Sequence, residues 1–446
     1  MRTITTIGML LCLWALPLAA QESKTVFSLD EAIVYALEHN YQAINADRDL
    51  VDAQKQKWEV IAGGLPQIDG SLSYQNQLKQ QVVQLPGEIA DGEPGTFVEV
   101  VFGQPQQMTA VGTLRQQIFD GSYIVGVQAT KAFLDYSKNN KEKTDLDVRK
   151  GVVETYGNLL LAQESVAILE KNKITLEKNL YETQKIFENG LGDEESVDQL
   201  QITLSSVNNQ LKNAERLVGI TRQMLNLMMG LPLENPTEPS DDLDALTQQK
   251  IDPGFLETSL NLADNIDYKM VTNLNEQRFY ELKLAKSRAL PSLNAFINYG
   301  GISFGDQFTF FDQGQDWFGF STLGVDLNVP IFSSLKRSAS TQRAKIAYDK
   351  AKTQLEETEQ QVRLQLERAK SDYTLSIEQY ETSKDNLALA ERIENKNQVK
   401  YSEGLATSFE LRQAQTQLYD TQQEYLQSMV DVINQKTTLE TILNTY

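Results

Sequence analysis

The stretch LPQIDGSLSY at residues 65–74 recurs as LPSLNAFINY at residues 290–299. Each copy follows an amphipathic helical pattern, and each precedes a second strand-like run and a very long segment without proline. Other landmarks keep nearly the same spacing, since Asn40 matches Asn265 and Phe119 matches Phe332. The sequence therefore predicts one structural unit written twice.

The composition of the chain is acidic. Its 446 residues include 61 Asp+Glu and 41 Lys+Arg, which give a formal net charge of −20. Surfaces that bind nucleic acid need clustered Lys and Arg to contact phosphates, so the charge balance argues against a nucleic-acid partner. The hydrophobic content of 41% is ordinary for a chain that buries a core.

The first twenty residues predict a signal peptide that is cleaved after Ala20. Arg2 supplies the positive start, residues 7–18 form a short apolar segment, and small residues precede the cleavage point. The one cysteine, Cys12, lies in this segment, so we expect a mature chain without disulfides or thiol chemistry. No later run reaches the ~18 apolar residues of a transmembrane helix.

Proline positions predict where the long helices lie. Two windows, 106–231 and 331–446, contain no proline, and proline is incompatible with a helix interior. The segment 231–252 carries three prolines. We expect it to link a first structural repeat at 21–230 to a second at 253–446.

Each repeat is predicted to run in the order helix, strand, loop, strand, long helix, tight turn and helix. The first repeat has these elements at 28–62, 66–76, 77–108, 109–120, 122–188, 189–195 and 196–230. The second repeat has them at 254–288, 291–302, 303–316, 317–332, 334–402, 403–406 and 407–444.

The predicted strands alternate apolar and polar residues, which indicates a sheet with two unlike faces. Ile68, Leu72 and Tyr74 share one side of the first strand, and Leu323 and Val325 share one side of the last. This pattern suits a tilted strand of a transmembrane barrel or an antiparallel sheet with one wet face. Aromatic residues crowd one end of the second strand pair, as interfacial aromatics do. They are Phe304, Phe308, Phe310, Phe311, Trp317, Phe318 and Phe320.

The long proline-free segments are typical of a coiled coil. Within 334–402, apolar or small residues are spaced by threes, fours and sevens. About 68 residues at ~1.5 Å per residue would form a rod on the order of 100 Å long. The shorter helices 28–62 and 196–230 together match one long helix. Stacked end to end, they would provide its antiparallel partner.

This order of elements resembles the TolC family of outer-membrane efflux proteins over essentially the whole mature chain. The likeness is carried by the helix–LPxxxxxxxY junctions and by the paired turns Asn189-Gly190-Leu191 and Glu403-Gly404-Leu405. The resemblance implies a mixed α/β membrane protein that assembles as a homotrimer. Four strands per chain would form a 12-stranded outer-membrane β-barrel, continued by a long periplasmic α-helical barrel.

The resemblance also implies a function and partners. The protein would be the outer-membrane channel or duct of a tripartite efflux or type I secretion system. It would passively export substrates that an inner-membrane RND or ABC transporter delivers through a periplasmic adaptor protein. The adaptor would contact the helical tips at Gly190, Leu191, Gly404 and Leu405, although a glycine after a helix is first a C-cap. The identity of the substrate is left open.

The resemblance further implies a closed periplasmic gate lined by acidic rings just beyond the second tip. Glu410 stands at the first acidic position, but Gln413 replaces the second. Acids at the first tip are expected to compensate. The alternative is that acids near a helix N-terminus only stabilise the helix dipole. The hypothesis is a cation-preferring constriction formed by Asp193, Glu194, Glu195, Asp198 and Glu410.

No motif in the sequence indicates an enzyme. The chain has one histidine, His39, and no HExxH, GxSxG or phosphate-binding GxxxxGK[ST] motif, so we expect no cofactor and no metal. A passive duct needs none of these, because the energy for transport comes from another component. The alternative function is a periplasmic or surface coiled-coil structural protein without channel activity, whose strands form a small soluble sheet.

Overall fold

The computed structural model describes residues 25–89, 91 and 93–445. The predicted signal peptide and Cys12 lie outside these residues. The α-helices are α1 Leu29–His39, α2 Tyr41–Ala62, α3 Gly121–Glu188, α4 Glu194–Met229, α5 Leu243–Lys250, α6 Ile266–Ser287, α7 Lys336–Ser402 and α8 Ser408–Leu443. The strands are β1 Val26–Phe27, β2 Gln67–Asn76, β3 Val82–Pro86, β4 Phe97–Val101, β5 Gln106–Asp120, β6 Glu238–Pro239, β7 Ser292–Gly305 and β8 Phe318–Asn328.

The helix predicted at 28–62 is two helices, because Asn40 interrupts it. Asn40 has extended backbone angles, and its side-chain amide donates a 2.7 Å hydrogen bond to the carbonyl of Met228 at the end of α4. The C-cap of α4 is Gly230, whose backbone φ is 75°. A Cβ on Gly230 would lie 2.1 Å from the carbonyl oxygen of His39, so only glycine permits this approach of the two helix ends.

The second repeat uses its matching asparagine in the same way. The side-chain amide of Asn265 donates a 2.9 Å hydrogen bond to the carbonyl of Ile442 near the end of α8. Its side-chain oxygen accepts from the backbone N–H of Tyr268 and caps α6. The helix predicted at 254–288 therefore starts only at Ile266, after a short 3₁₀ turn at Pro253–Glu257. The two aligned asparagines thus make equivalent hydrogen bonds, each to a carbonyl near the end of the last helix of its own repeat.

The segment predicted as a linker is partly ordered into regular structure. Its strand β6 pairs in parallel with β1, with Val26 opposite Glu238, and helix α5 follows. The hydroxyl of Tyr156 lies 2.9 Å from the carbonyl of Phe27 and 2.8 Å from the carboxylate of Asp241. Burial raises the pKa of the Tyr156 phenol, which keeps it protonated in this contact.

Two strands from each repeat form one four-stranded antiparallel sheet in the order β2-β5-β7-β8. Across β2, β5 and β7, Tyr74 lies opposite Met108, and Met108 lies opposite Ser303. Because side chains alternate between faces, this register aligns one largely apolar face across all four strands. Its apolar residues include Ile68, Leu72, Ala110, Leu114, Ile297, Tyr299, Leu323, Val325 and Leu327.

The opposite face of the sheet is polar over its half nearest the helices. Asp69, Thr113, Asn298 and Thr322 lie side by side across the four strands. Arg115 forms an exposed ion pair with Asp69 at 3.4 Å. The register divides the clustered aromatic residues of the strands between the two faces. Phe304, Phe318 and Phe320 lie on this second face, while Trp317 lies on the apolar face.

The long loop of the first repeat is also more ordered than the sequence indicates. Strands β3 and β4 pair as an antiparallel hairpin within it, with Val82 opposite Val101 and Pro86 opposite Phe97. Strand β5 begins at Gln106, three residues before the predicted start at 109. The connection predicted as a loop over 77–108 therefore contains a hairpin and ends at Pro105.

The chain divides into two compact units that do not coincide with the two repeats. One unit contains the chain up to Tyr41 together with Val148–Phe255 and Asp372–Thr438. The other contains Gln42–Asp147, Leu256–Ser371 and Leu439–Tyr446, and it holds the four-stranded sheet. The core of the first unit includes leucines at heptad spacing on α3 and α4, among them Leu169, Leu176, Leu200, Leu204 and Leu211.

Among the residues that the structure describes, no helix combines the length and apolarity needed to cross a membrane.

Candidate functional site

The two helical tips are built in the same way. After α3, the N–H of Leu191 donates to the carbonyl of Ile186 at 3.0 Å and Gly190 takes φ of 74°. After α7, the N–H of Leu405 donates to the carbonyl of Lys400 at 2.8 Å and Gly404 takes φ of 72°. Each tip is therefore a Schellman C-cap, in which glycine supplies the left-handed backbone.

The leucine that follows each glycine faces outward. Leu191 is 83% exposed and Leu405 is 77% exposed. A leucine left in water adds nothing to the stability of its own turn by burial. Both side chains are therefore free to enter a contact with another protein.

One predicted gate acid at each tip caps the helix that follows the turn. The carboxylate of Asp193 accepts a 2.7 Å hydrogen bond from the N–H of Ser196 and begins α4. The carboxylate of Glu410 accepts a 2.8 Å hydrogen bond from the N–H of Thr407, just before α8. These backbone N–H groups hold the pKa of both carboxyls below its ordinary value. Asp193 and Glu410 thus have the helix-capping role that was the alternative to a gate.

The other three predicted gate acids make fewer contacts. The carboxylate of Glu195 accepts from the side-chain amide of Gln199 at 3.0 Å. Glu194 and Asp198 are exposed, and no hydrogen bond or ion pair to their side chains is found in the described part of the chain. Their charges are therefore available to solvent or to a permeating ion.

A short hydrogen-bonded chain brings the two sets of acids together. The hydroxyl of Ser196, in the first turn of α4, donates to the hydroxyl of Ser408 at 2.9 Å. Ser408 donates in turn to the side-chain oxygen of Gln199 at 3.3 Å. The first turns of α4 and α8 are therefore neighbours, and the acids that they carry share one surface region of the first unit.

Three further polar contacts join the helices of the two repeats behind the tips. The hydroxyls of Thr183 and Tyr401 lie 2.6 Å apart. The side-chain amides of Asn179 and Gln398 exchange two hydrogen bonds of 2.9 and 2.8 Å. Asn172 donates to Gln422 at 2.9 Å. We call this set, together with Ser196–Ser408, the tip latch.

Sequence reasoning missed the tip latch. A signal for it exists, because Asn172 and Asn179 are seven residues apart and each follows a buried leucine, Leu169 or Leu176, by three positions. Asn179 is 1% exposed. Asparagine at a core position of a coiled coil specifies pairing at some cost in stability. The buried Asn179 therefore indicates that hydrogen bonds specify how these helices pair.

The described residues contain no group of three or more His, Cys, Asp or Glu side chains placed to hold a metal ion. His39 stacks on Tyr35 with ring centroids 4.0 Å apart, and its Nδ1 lies 2.9 Å from the backbone oxygen of Tyr35. Both contacts are within the last turn of α1, which is a structural position.

Comparisons with known proteins agree with this geometry. The family described as outer membrane efflux protein matches residues 33–231 and 262–445, which includes both repeats. The alkaline protease secretion protein AprF of Pseudomonas aeruginosa is 23% identical over 335 residues, or 72% of this chain. That match spans 66% of AprF, slightly less than two thirds of its length.

Solved structures of outer-membrane proteins share the fold. The outer membrane protein VceC of Vibrio cholerae has a TM-score of 0.71 at 16% identity, covering 93% of this chain and 95% of VceC. The CmeC outer membrane channel of Campylobacter jejuni has a TM-score of 0.73 at 16% identity, covering 99% of this chain and 94% of CmeC.

These likenesses confirm the fold class and the outer-membrane location that the sequence predicts. The family match covers most of the chain and both copies of the repeat. The chain belongs to the outer membrane efflux protein family.

Proposed function

We propose that this protein is a passive outer-membrane duct for efflux or secretion. The observation that carries the proposal is the register of the four-stranded sheet, which makes one face apolar across all four strands and leaves the other polar near the helices. A sheet with such faces fits a wall between lipid and an aqueous channel. A soluble coiled-coil protein would leave this apolar face in water.

The outer edges of the sheet support assembly as a homotrimer. Within the described chain, β2 and β8 each pair on one side only, so each presents an open edge. Open edges in lipid would leave backbone N–H and C=O groups unsatisfied, at a cost of several kcal/mol per group. Pairing β2 of one chain with β8 of the next would close three sheets of four strands into a 12-stranded barrel.

The tips are proposed to receive a periplasmic adaptor protein, with Gly190, Leu191, Gly404 and Leu405 as the contact. Support comes from the two identical C-caps and from the exposure of both leucines. The adaptor would connect the duct to an inner-membrane transporter of RND or ABC type. The AprF relative, which is named as a protease secretion protein, favours polypeptide secretion as one candidate beside small-molecule efflux.

The gate is proposed to lie at the first turns of α4 and α8. The tip latch would hold it closed. The unpaired charges of Glu194 and Asp198, the capping carboxylates of Asp193 and Glu410, and the carboxylate of Glu195 would favour cations. The duct carries no chemistry of its own, so substrate choice and energy would come from the transporter.

Reconstitution of the purified protein in planar lipid bilayers tests the proposal. A duct gives stepwise single-channel conductance and requires detergent for extraction from outer membranes. A protein that is extracted without detergent, and that leaves bilayers silent, would be the coiled-coil structural protein.

A further inference from the structure

The two repeats differ in charge where their helices meet the sheet. In the second repeat, the segments 282–291 and 327–348 contain seven Lys and Arg residues and no Asp or Glu. The matching segments of the first repeat, 57–66 and 114–135, contain three Lys and Arg residues against three Asp and Glu. The second repeat therefore carries a concentrated positive charge at this place, in a chain whose net charge is −20.

The register of the strands shows that equivalent positions are being compared. Gln67 lies opposite Arg115 in the pair β2–β5. The residues aligned with them in the second repeat, Ser292 and Asn328, lie opposite each other in the pair β7–β8. The repeats therefore align without a gap at this end of the sheet, and only the second one is basic there.

The two basic segments lie together in the fold. Helix α6 ends just before β7, and α7 begins just after β8. Ser292 and Asn328 pair at this end of the two strands, so the helix ends that follow them are close. The hydroxyl of Thr341 on α7 donates to the carbonyl of Ala285 on α6 at 3.4 Å. The basic residues of the two segments thus belong to one surface region.

Three of these basic residues are exposed and are not neutralised by the chain itself. Arg288 is the C-cap of α6, and Lys336 and Arg343 stand in the first two turns of α7. None of the three forms an ion pair within the described part of the chain, whereas Lys352 farther along α7 pairs with Asp349 at 4.0 Å. Neighbouring like charges repel each other. An anion from outside the chain would therefore stabilise this region.

Exposed apolar side chains lie between the basic residues and the sheet. Ile331 is 89% exposed, Phe332 is 83% exposed and Leu335 is 77% exposed. They follow shortly after Leu327, which belongs to the apolar face of the sheet. From the sheet towards the helices, the surface of the second repeat thus changes from apolar to basic. Such a surface suits the boundary between acyl chains and anionic headgroups.

We propose that Arg288, Lys336 and Arg343 bind the anionic headgroups of phospholipids in the inner leaflet of the outer membrane. The inference rests on the proposed function, because it requires that the apolar face of the sheet meets lipid and that the helices lie in the periplasm. Opposite charge and continuity with the apolar face select this occupant. Lys and Arg donate charge-assisted hydrogen bonds to phosphate oxygens. Each chain would hold anionic lipid at only one of its two helix–sheet junctions.

The test places a tryptophan beside the basic residues. A W14F/W58F/W317F background removes the native tryptophans, and Phe332→Trp adds one at the exposed junction. The protein is reconstituted in vesicles of equal phosphatidylcholine and phosphatidylglycerol, with brominated acyl chains on one lipid or on the other. We expect phosphatidylglycerol to be preferred about fivefold near the probe, which is the contribution of one Lys or Arg at an anionic surface. The preference should fall towards one in about 1 M salt.

Matched substitutions identify the residues that are responsible. Replacing all three proposed basic residues by glutamine should make the two brominated lipids quench equally. The control is Lys55→Gln, Lys57→Gln and Lys131→Gln, which removes three exposed charges near the junction of the first repeat. This control should keep the preference for phosphatidylglycerol. Loss of the preference in both triple variants would show an effect of net charge and would overturn the site.

A second probe separates failure of this inference from failure of the duct. In the same background, Leu323→Trp places the indole in the middle of the apolar face. If lipid bromines quench Leu323→Trp while Phe332→Trp shows no preference between the two lipids, the headgroup site is wrong and the duct stands. Quenching of Phe332→Trp by aqueous iodide alone, or by no quencher, has the same meaning. If lipid bromines quench neither probe, the proposed function is wrong.

Discussion

The hydroxyl of Ser196 donates a 2.9 Å hydrogen bond to the hydroxyl of Ser408, which lies 212 positions later in the chain. One residue stands in the first turn of α4 and the other begins α8. The bond therefore joins the two helix starts that carry the candidate gate acids. Any motion that separates these helix starts must break it.

Replacing Ser408 by alanine should loosen the gate. The substitution removes both the bond from Ser196 and the 3.3 Å bond to Gln199 at a buried position. We expect a higher open probability in planar bilayers and a loss of stability of about 1 kcal/mol per hydrogen bond. The control is Ser205→Ala, because within the described residues that hydroxyl bonds only to Gln201 of its own helix. Unchanged opening in Ser408→Ala would contradict the latch.

The amide pair of Asn179 and Gln398 behind the tip should show direct energetic coupling. Asn179 and Gln398 exchange two hydrogen bonds across α3 and α7. Gln398→Ala leaves the buried amide of Asn179 without this partner, at a cost of roughly 1–3 kcal/mol. Asn179→Ala leaves the half-buried amide of Gln398 without it. A double-mutant cycle on thermal unfolding should therefore give a coupling energy within the range of about 0.5–3 kcal/mol seen for contacting residues. Strictly additive effects would mean that the two amides act independently.

Local sequence signals predicted the parts of the fold that depend on near neighbours. Gly190 and Gly404 were identified as caps because a left-handed residue ends a helix wherever it occurs. The apolar face of the strands followed from alternation alone, and the register then aligned it across β2, β5, β7 and β8.

Features set by distant partners could not be predicted in the same way. Asn40 breaks a helix because it binds the end of α4, 188 positions away. The sequence presents Phe310 as one of a cluster of aromatic residues. In the structure its loop folds back to Tyr74, and this contact buries the Phe310 ring. The partners of Ser196 and Asn179 depend on how two helix pairs align. Periodicity does not report that alignment.

Cation preference should depend on the acids that have no capping role. Glu194 and Asp198 are exposed and their side chains are unpaired within the described chain, so Glu194→Gln with Asp198→Asn removes two charges without removing a cap. We expect a lower ratio of cation to anion permeability, measured as a shift of reversal potential in a salt gradient. The control uses two acids of α7 that are exposed and have no side-chain partner within the described chain, and Glu356→Gln with Glu367→Gln should leave the ratio unchanged. An equal shift of reversal potential in both variants would show that the tip acids do not determine cation selectivity.

Acidification should weaken the tips through the capping carboxylates. Hydrogen bonds from backbone N–H groups lower the pKa of Asp193 and Glu410 in the folded protein. Their contribution is therefore complete above the unfolded pKa and is lost as pH falls through the lower folded pKa. We expect hydrogen exchange at the first turns of α4 and α8 to accelerate in that acidic range. In Glu410→Gln the α8 start should lose its share of this pH dependence, while α4 keeps its own.

Substitutions of the glycine and of the leucine in a tip should have different effects. The glycine should control stability, and the leucine should control binding of the adaptor. Gly404 has φ of 72° and open space around it, so Gly404→Ala strains the backbone without a clash and should cost roughly 1–2 kcal/mol of stability. Leu405 is 77% exposed, so Leu405→Ser should leave thermal unfolding unchanged.

If Leu405 is the adaptor contact, the same substitution should abolish export in cells and capture of the adaptor by the purified duct. Val399→Ser on α7, which is 61% exposed behind the tip, is the control for loss of a surface apolar group. Export that survives Leu405→Ser and Leu191→Ser together would place the adaptor contact elsewhere on the helices.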